Sequence, residues 1–320
     1  MKFNLYAAGS FNKESTDLKR ELGYDQLLSQ LNERKACIEW VEYKRAHPEC
    51  KSKLFIDSGA YTAHTKGKEV DVDEYIEFMN SVDDQVTVFA QVDKIPGEWG
   101  KPKTPEQLAQ APIDSWNNYL YMVKKVKSPK KLLPIFHQGE DFKYLKQMLD
   151  YVYPEDVLDK SCVGQHIDYI GISCNKEVSS SDWVDWFNIV FKMIKESPNP
   201  NVKTHAFGMT SLRILEQFPF TSADSTSWVR TASFGNLQVG YTTVYVSNRN
   251  LNDPQHINNL SPAVKKTVAD MCTKYGLNLD EMIADDKPYP RAIFNLRSLH
   301  DWATNYEYKG TDEFEESLWD

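Results

Sequence analysis

Three aspartates in this sequence each come at the end of a short apolar run. Asp57 closes LFID, Asp93 closes VFAQVD and Asp224 closes FTSAD. A glutamine, Gln138, follows the similar run PIFH. Carboxylates that reach one cavity from separate elements can divide the steps of glycosyl chemistry, because one attacks the anomeric carbon while another handles protons. The residue types and their positions therefore favour a glycosyl-transfer site.

Each aspartate also has a purely structural interpretation, since a carboxylate just after a strand commonly caps the next helix. Small residues follow two of the three, with Ser58 and Gly59 after Asp57 and Ser225 after Asp224. Small side chains let a ligand approach the backbone closely. We therefore take Asp57 and Asp224 as candidate catalytic residues, with helix caps as the alternative.

The elements that must position these residues follow from the pattern of the chain. Short β-branched and aromatic runs alternate with stretches of helical period, as in βα units around a parallel sheet. This order predicts an α/β fold, a TIM-like (β/α)8 barrel whose functional face lies at the carboxyl ends of the strands. Strands are predicted at 3–9, 53–59, 86–93, 131–139, 166–173, 202–208 and 220–225, with 242–247 as a candidate eighth; helices are predicted at 23–34, 72–81, 104–126, 141–151, 180–196, 210–217, 261–275 and 290–305.

The chain is predicted to form a single domain over residues 1–320. A small hairpin inserted at 231–247 is expected to be carried on the barrel, and C-terminal helices over 261–305 follow it. No low-complexity linker divides the sequence. The acidic tail at 307–320 is expected to be loose.

Composition excludes several classes of protein. Apolar residues make up 41% of the chain and charged residues 26%, which is typical of a globular protein. No run approaches the ~20 apolar residues that cross a bilayer, and the start turns polar too soon for a secretory signal. We therefore expect a cytoplasmic protein without a membrane partner.

Net charge and cysteine spacing further limit which nucleic-acid, disulfide and metal sites the chain can form. The net charge of −9 means that the whole molecule repels polyanions, so any nucleic acid must be bound by a local basic patch. The five cysteines contain no CxxC or CxC pair. This spacing argues against a disulfide framework and against a zinc ribbon. Neither a metal nor a cofactor is expected.

Six segments of the chain resemble, in the same order, motifs of the tRNA-guanine transglycosylases. These enzymes exchange guanine for a 7-deazaguanine on a TIM-type barrel. The resemblance covers roughly residues 50–235. The matching segments are LFIDSGAYTA (54–63), FAQVDKIPG (89–97), PIFHQGED (134–141), HIDYIGIS (166–173), HAFGM (205–209) and DSTSWVR (224–230).

The resemblance implies a role for each matched residue. Asp224 corresponds to the nucleophile and Asp57 to the general acid/base. Asp93 corresponds to the residue that hydrogen-bonds the pyrimidine edge of the purine. Further base contacts are implied for Gln138, for the backbone at Gly171 and for Ser58, and Arg230 falls in register with the family arginine and is assigned to nucleic-acid binding.

Two departures from the family pattern bear on the substrate. The tRNA enzymes carry a CxCxxC plus His zinc site after the last strands, and this sequence has nothing of that spacing. Ser173 and Cys174 also replace the continuation of the family's GGLAVGE segment. A shorter, zinc-free chain is more similar to the phage DNA transglycosylases, which put 7-deazaguanines into DNA and so hide it from restriction enzymes.

The expected partners are therefore DNA and a free 7-deazaguanine base such as preQ0. If the source is viral, the location is the host cytoplasm. Three alternatives stay open: a tRNA-guanine transglycosylase of the queuine or archaeosine type, with tRNA ranked below DNA; a deazapurine nucleoside hydrolase; and a non-catalytic nucleic-acid-binding subunit. The presence of both Asp57 and Asp224 argues against the last. The oligomeric state is also open, with a homodimer as one alternative.

Cations for a nucleic-acid backbone are sought in the loops that follow the strands. His64 and Lys66 come shortly after the first aspartate, and Lys94 directly follows the second, so these three are predicted to contact nucleic acid. The densest basic run, KKVKSPKK (124–131), precedes a strand instead. It is expected at the opposite face, as a solvated helix end.

Aromatic and histidine residues near the same strand ends are ambiguous. Tyr61, Trp99 and Trp228 can either stack on an extruded base or pack in the core. His137 is expected to point away from its neighbour Gln138, because side chains alternate along a strand, and it is interpreted as structural. His205 is interpreted as a core residue.

Overall fold

The computed structural model describes residues 3–10, 12–175, 178–209, 211–283 and 288–310. The expectation of a loose acidic tail falls mainly on residues 311–320, which lie outside the described ranges. Within those ranges, no helix is both long enough and apolar enough to cross a membrane.

In the described part of the chain, nine strands form one sheet, and the pairs β2–β3, β3–β4, β4–β5, β6–β7, β7–β8 and β8–β9 are parallel. Two of the nine are parts of one extended segment that is interrupted at Pro134, which has no N–H to donate to a ladder. The sheet therefore has eight strand positions, the number of a TIM-like (β/α)8 barrel, and the predicted fold class is confirmed. The strands are β1 (Asn4–Ala8), β2 (Gln26–Ser29), β3 (Leu54–Asp57), β4 (Val88–Ala90), β5 (Leu132–Leu133), β6 (Ile135–His137), β7 (Tyr169–Ser173), β8 (Lys203–Phe207) and β9 (Ser222–Ser225).

Helices alternate with the strands, and their starts carry the expected caps. Thr104 accepts a hydrogen bond from the backbone N–H of Gln107, and Pro105 is the first helical residue, so α5 begins where the sequence predicts. The helices are α1 (Lys13–Glu21), α2 (Gln30–Ala46), α3 (Ala60–Thr65), α4 (Val72–Val82), α5 (Pro105–Val123), α6 (Phe142–Asp150), α7 (Ser180–Glu196), α8 (Leu212–Gln217), α9 (Ser227–Ser233), α10 (Pro262–Tyr275), α11 (Leu279–Ile283) and α12 (Pro288–Thr304).

Two sequence predictions of elements are wrong. The segment 23–34 is not one helix, because Gln26–Ser29 forms β2, which pairs along four residues with β3, from Gln26↔Leu54 to Ser29↔Asp57. This pairing buries Gln26 and Leu28 and outweighs the helical preference of the segment. The candidate eighth strand at 242–247 does not belong to the barrel sheet, since Thr242–Tyr245 pairs antiparallel with Asn236–Val239.

The chain divides into two compact units, and the prediction of a single domain stays a prediction. One unit takes the described residues of 1–24, 208–219 and 224–310. Its hairpin, β10 (Asn236–Val239) and β11 (Thr242–Tyr245), confirms the predicted hairpin, and α10 and α12 confirm the predicted C-terminal helices. Hairpin and helices share an apolar core that includes Leu237, Val244, Val268 and Phe294.

The other unit takes residues 25–207 and 220–223 and carries β2 to β8. Rings from two of its strands that are not neighbours in the sheet, Phe55 on β3 and His205 on β8, meet at 4.6 Å between centroids. The side of the sheet that carries these rings is called the inner face below. His205 is fully buried and lies 2.5 Å from the Ser222 hydroxyl, measured from Nδ1, which confirms its interpretation as a core residue.

Candidate functional site

Asp57 ends β3 two residues after Phe55, so strand alternation places it on the inner face at the carboxyl end of the strand. Its Oδ2 accepts a hydrogen bond from the backbone N–H of Gly59 at 3.0 Å. Gly59 has a φ of +83°, and a Cβ there would lie 2.5 Å from the Cβ of Leu31. Only glycine fits this turn, and the turn fixes the carboxylate.

Ser58 lies within the same turn and is buried. Its carbonyl oxygen accepts a hydrogen bond from Nε2 of Gln30 at 3.1 Å, and its hydroxyl accepts one from the backbone N–H of Ala60 at 3.3 Å. The polar groups of Ser58 thus hold the turn that carries Asp57. The prediction that Ser58 binds a base stays a prediction.

Asp93 lies beyond the end of β4 and is held by a histidine from β6. Nε2 of His137 lies 3.2 Å from Oδ2 of Asp93, and Nδ1 of the same ring lies 3.3 Å from Oε1 of Glu140. The backbone N–H of His137 also donates to Oε2 of Glu140 at 3.0 Å. A carboxylate only accepts hydrogen bonds, so an imidazole that donates to both must be doubly protonated. His137 is therefore an imidazolium between two carboxylates.

The electrostatics of His137 agree with this protonation state. Burial alone would lower the pKa of His137, but the hydrogen bonds to Asp93 and Glu140 and the charges of both carboxylates raise it to about 10. Because the raised pKa belongs to the folded state, this contribution to stability is fully present below the ordinary value near 6.5. It is lost as the pH rises through about 10.

We expect the imidazole of His137 to stay doubly protonated until the pH approaches about 10. Glu140→Gln removes one of its two carboxylate partners and should lower the titration midpoint by about 1 to 3 pH units. Long-range ¹⁵N–¹H spectra of the histidine side chains measure both midpoints. A midpoint near 6.5 in the unmodified protein would contradict the pairing with Asp93 and Glu140.

Gln138 and Gly171 use their polar groups within the unit. Gln138 points away from His137: its Oε1 accepts from the backbone N–H of Asn175 at 3.0 Å, and its Nε2 donates to the carbonyl of Asp182 at 3.4 Å. Gly171 is paired with His205 and so lies on the inner face, but its N–H donates to the carbonyl of Pro134 at 2.7 Å. The structure therefore brings His137, rather than Gln138, to Asp93.

A side chain at Gly171 would have no room. A Cβ there would lie 2.4 Å from the ring of Phe207 and 2.7 Å from Cδ2 of Leu133. Phe207 and Leu133 thus pack into the space that a side chain at position 171 would fill. The prediction that the backbone at Gly171 contacts a base is not tested by these contacts.

Asp224 lies on β9, the last strand of the sheet in chain order. It belongs to the unit that also contains residues 208–219. It is buried, and its Oδ1 accepts a hydrogen bond from the backbone N–H of Gly208 at 2.7 Å. A charge-assisted bond of this kind orients the carboxylate. Helix α9 begins three residues later, and Arg230 is exposed on it. Trp228 of the same helix is buried and donates its indole N–H to the carbonyl of Ala8 at 2.9 Å, so it is a core residue.

In the unit that carries β2 to β8, the predicted nucleic-acid contacts come in the segments that follow β3 and β4. The ring of His64, on α3, lies 6.5 Å from that of Trp99. Lys66 donates to Oδ1 of Asn32 at 3.1 Å, and Lys94 forms an ion pair with Glu69. Both lysines are exposed.

The structure thus gathers part of the predicted site. Asp57, Asp93 and the loop cations lie at the carboxyl ends of strands within one unit, and Asp224 lies at the end of a strand in the other. Sequence reasoning missed Glu140 and interpreted His137 as structural. Among the described residues, no group of three or more His, Cys, Asp or Glu side chains is arranged to hold a metal ion.

The arrangement suits proton transfer and carboxylate nucleophilic chemistry. Asp57 and Asp224 each accept a hydrogen bond from a backbone N–H through one carboxylate oxygen. This bond holds the side chain in one orientation, as an acid or a nucleophile requires. Asp93, fixed by an imidazolium, offers acceptor oxygens to a ligand with neighbouring N–H donors. No protein-family model matches the chain, and no curated protein is significantly similar to it, so the site itself carries the functional argument.

Proposed function

We propose that this protein exchanges guanine in DNA for a free 7-deazaguanine base. One observation carries the proposal: Asp57 is the last residue of β3, Asp224 is the penultimate residue of β9, and each carboxylate accepts a hydrogen bond from a backbone N–H. The order of the strand-end motifs, which resembles that of the transglycosylases, supports the same reaction. The modified DNA would then resist restriction enzymes that read guanine.

In the proposed first step, Asp224 attacks C1′ of a target nucleotide that has been extruded from the duplex. The bond between C1′ and N9 breaks through an oxocarbenium-like transition state, and its electron pair leaves with guanine. Asp57, in its protonated form, gives the departing base a proton. The product is an ester between Asp224 and the sugar.

In the second step, Asp57 takes the N9 proton of the incoming 7-deazaguanine. The N9 electron pair attacks C1′, and the ester bond to Asp224 breaks, which returns the carboxylate to its starting state. The mechanism requires both carboxylates to reach the same nucleotide. It uses only protons and electron pairs that the two bases and the two aspartates supply.

Base selection is assigned to Asp93. Guanine and 7-deazaguanines present an N1–H and a 2-amino donor on adjacent atoms, and a carboxylate can accept from both. His137 holds this carboxylate from the side and so positions it. Gln138 can join the base only if its amide leaves Asn175 and Asp182, which makes Asp93 the stronger candidate reader.

The polynucleotide can be identified by a direct comparison. With radiolabelled guanine or preQ0, we expect incorporation into DNA in preference to tRNA, and we expect the reaction to proceed without a zinc supplement. The measurement is label retained on duplex DNA, single-stranded DNA and tRNA side by side, with metal analysis of the untagged protein.

The outcomes of this comparison separate the alternatives. Labelling of tRNA alone, or one zinc ion bound per chain, would favour the tRNA-modifying enzymes. Release of base from a free deazapurine nucleoside, without incorporation into any polymer, would favour a hydrolase. Binding of DNA with neither reaction would favour an accessory subunit.

A further inference from the structure

Trp99 lies in the loop between β4 and α5 and keeps 58% of its surface exposed. Its ring stands nearly perpendicular to those of two residues of α3, at 5.9 Å and 87° from Tyr61 and at 6.5 Å and 86° from His64. The glycines on either side, Gly97 and Gly100, have φ values of +76° and +75°. The loop conformation and the two edge-to-face contacts thus hold a tryptophan ring out in solvent.

The two segments that meet at Trp99 are rich in lysine, although the chain as a whole is acidic. The two segments that meet at Trp99, residues 60–70 and 94–104, contain five lysines and two glutamates, a formal charge of +3, whereas the whole chain carries −9. We call these five residues the lysine rim; all are exposed, and they are Lys66, Lys68, Lys94, Lys101 and Lys103.

Two members of the rim are paired with acids, Lys94 with Glu69 and Lys101 with Glu98. Exposed pairs of this kind contribute only about 0 to 1 kcal/mol, so a phosphate can replace the glutamate at little cost. The ammonium groups of Lys68 and Lys103 form neither a hydrogen bond nor an ion pair with the part of the chain that the structure describes.

The other basic stretch, residues 124–131, offers a contrast. Four of its five lysines form ion pairs with acids on neighbouring elements, and the fifth, Lys127, donates to the backbone carbonyl of Asn80 at 3.0 Å. The stretch also precedes β5, away from the carboxyl ends of the strands. The pairs are Lys124–Asp156, Lys125–Asp73, Lys130–Asp168 and Lys131–Asp83. A lysine beside an exposed ring does not by itself single out the lysine rim, because Nζ of Lys125 lies 3.9 Å from the ring centroid of Tyr121, which is 41% exposed. The position of the rim after β3 and β4, at the carboxyl ends of the strands, is what distinguishes it.

We infer that Trp99 and the lysine rim bind single-stranded DNA, with an unpaired base stacked on the indole and the adjoining phosphates on the lysines. An exposed aromatic ring accepts any base because every base has a π-face, and cations beside the ring fix the backbone. The loops that form this surface follow β3 and β4, directly after Asp57 and Asp93. The stacked nucleotide is thus a neighbour of the target, and the choice of DNA as polymer rests on the proposed function.

The test is direct binding, which needs no base exchange. Fluorescence anisotropy with a labelled oligonucleotide of about 12 nucleotides gives the Kd of the 320-residue chain for single-stranded DNA. Trp99→Ala should weaken binding by about 5- to 100-fold, whereas Trp99→Phe, which keeps a flat ring, should stay within about 3-fold of the unmodified protein. Leu158→Ala is the matched control, because Leu158 is 57% exposed and lies before β7, away from the rim.

Salt dependence tests the lysine part of the surface. Lys68→Ala and Lys103→Ala should each reduce the slope of log K against log salt by about 0.7, the value for one phosphate contact on a single strand. An unchanged slope in both variants would show that these lysines do not contact the DNA phosphates. Equal Kd values for Trp99→Ala and the unmodified protein, or tighter binding of single-stranded RNA of the same sequence, would overturn the inference.

The binding result can be separated from the fate of the proposed function. If Trp99→Ala weakens binding but no base exchange is found on any polymer, the surface stands and the transglycosylase proposal fails. If exchange on DNA is found and Trp99→Ala binds as the unmodified protein does, the proposed function stands and this inference fails. Circular dichroism confirms that each variant is folded before binding is measured.

Discussion

We expect Asp224→Asn to lower the rate of the proposed base exchange by about 10⁴-fold or more, while binding of the proposed DNA substrate is retained. The amide cannot attack C1′ as a carboxylate does, so no ester to the sugar forms. It still accepts the hydrogen bond from the Gly208 N–H through its carbonyl oxygen, so the local fold is expected to survive. The measurement is the rate of exchange of labelled guanine, together with the Kd for DNA.

The matched control for this prediction is Asp270→Asn. Asp270 belongs to the same unit, is exposed on α10 and pairs only with Lys266 among its described contacts. Exchange by this variant should match that of the unmodified protein. A fully active Asp224→Asn protein would rule out Asp224 as the nucleophile, and the covalent mechanism with it.

We expect Asp93→Asn to change which free base is preferred in the proposed exchange. Asparagine offers one acceptor and one donor where aspartate offers two acceptors, so its amide N–H₂ meets an N–H of guanine and neither is satisfied. We expect kcat/KM for guanine and 7-deazaguanines to fall by about 10² to 10⁴, with a smaller loss for 2-aminopurine, which has an acceptor at N1. Competition between pairs of free bases measures this preference.

Two comparisons keep this result specific to Asp93. Asp156→Asn, at an exposed position paired with Lys124, should leave the preference among bases unchanged. His137→Gln keeps a hydrogen-bond donor but removes the positive charge, so it should weaken all guanine-like bases to a similar degree. If Asp93→Asn ranks the bases as the unmodified protein does, Asp93 is not the reader.

The positions of the candidate aspartates were accessible to sequence analysis for a physical reason. In a parallel sheet the strands are short apolar runs, and the polar residue that ends each run must emerge at the same edge. Asp57 ends β3, Asp224 is the penultimate residue of β9, and Asp93 lies three residues past the end of β4. Predicting the runs was therefore enough to place all three near strand ends.

The sequence could not show β2 or the role of His137, because both depend on contacts between distant segments. QLLS followed by QLNERK favours a helix locally, and only pairing with β3 makes the first four residues a strand. The alternation of side chains along β6 correctly predicted that His137 points away from Gln138. No local pattern could predict that His137 contacts the carboxylate of Asp93, because Asp93 lies in a distant segment, after β4.

The contact between Gly171 and Phe207 constrains how this sequence can change over time. The ring of Phe207 occupies the space in which any side chain at position 171 would lie. A larger residue at 171 requires both the ring at 207 and the end of the Leu133 side chain to give way, and a smaller residue at 207 leaves a cavity until 171 fills it. The two positions are therefore expected to covary among descendants of this chain, with glycine opposite an aromatic ring or a side chain opposite a small residue.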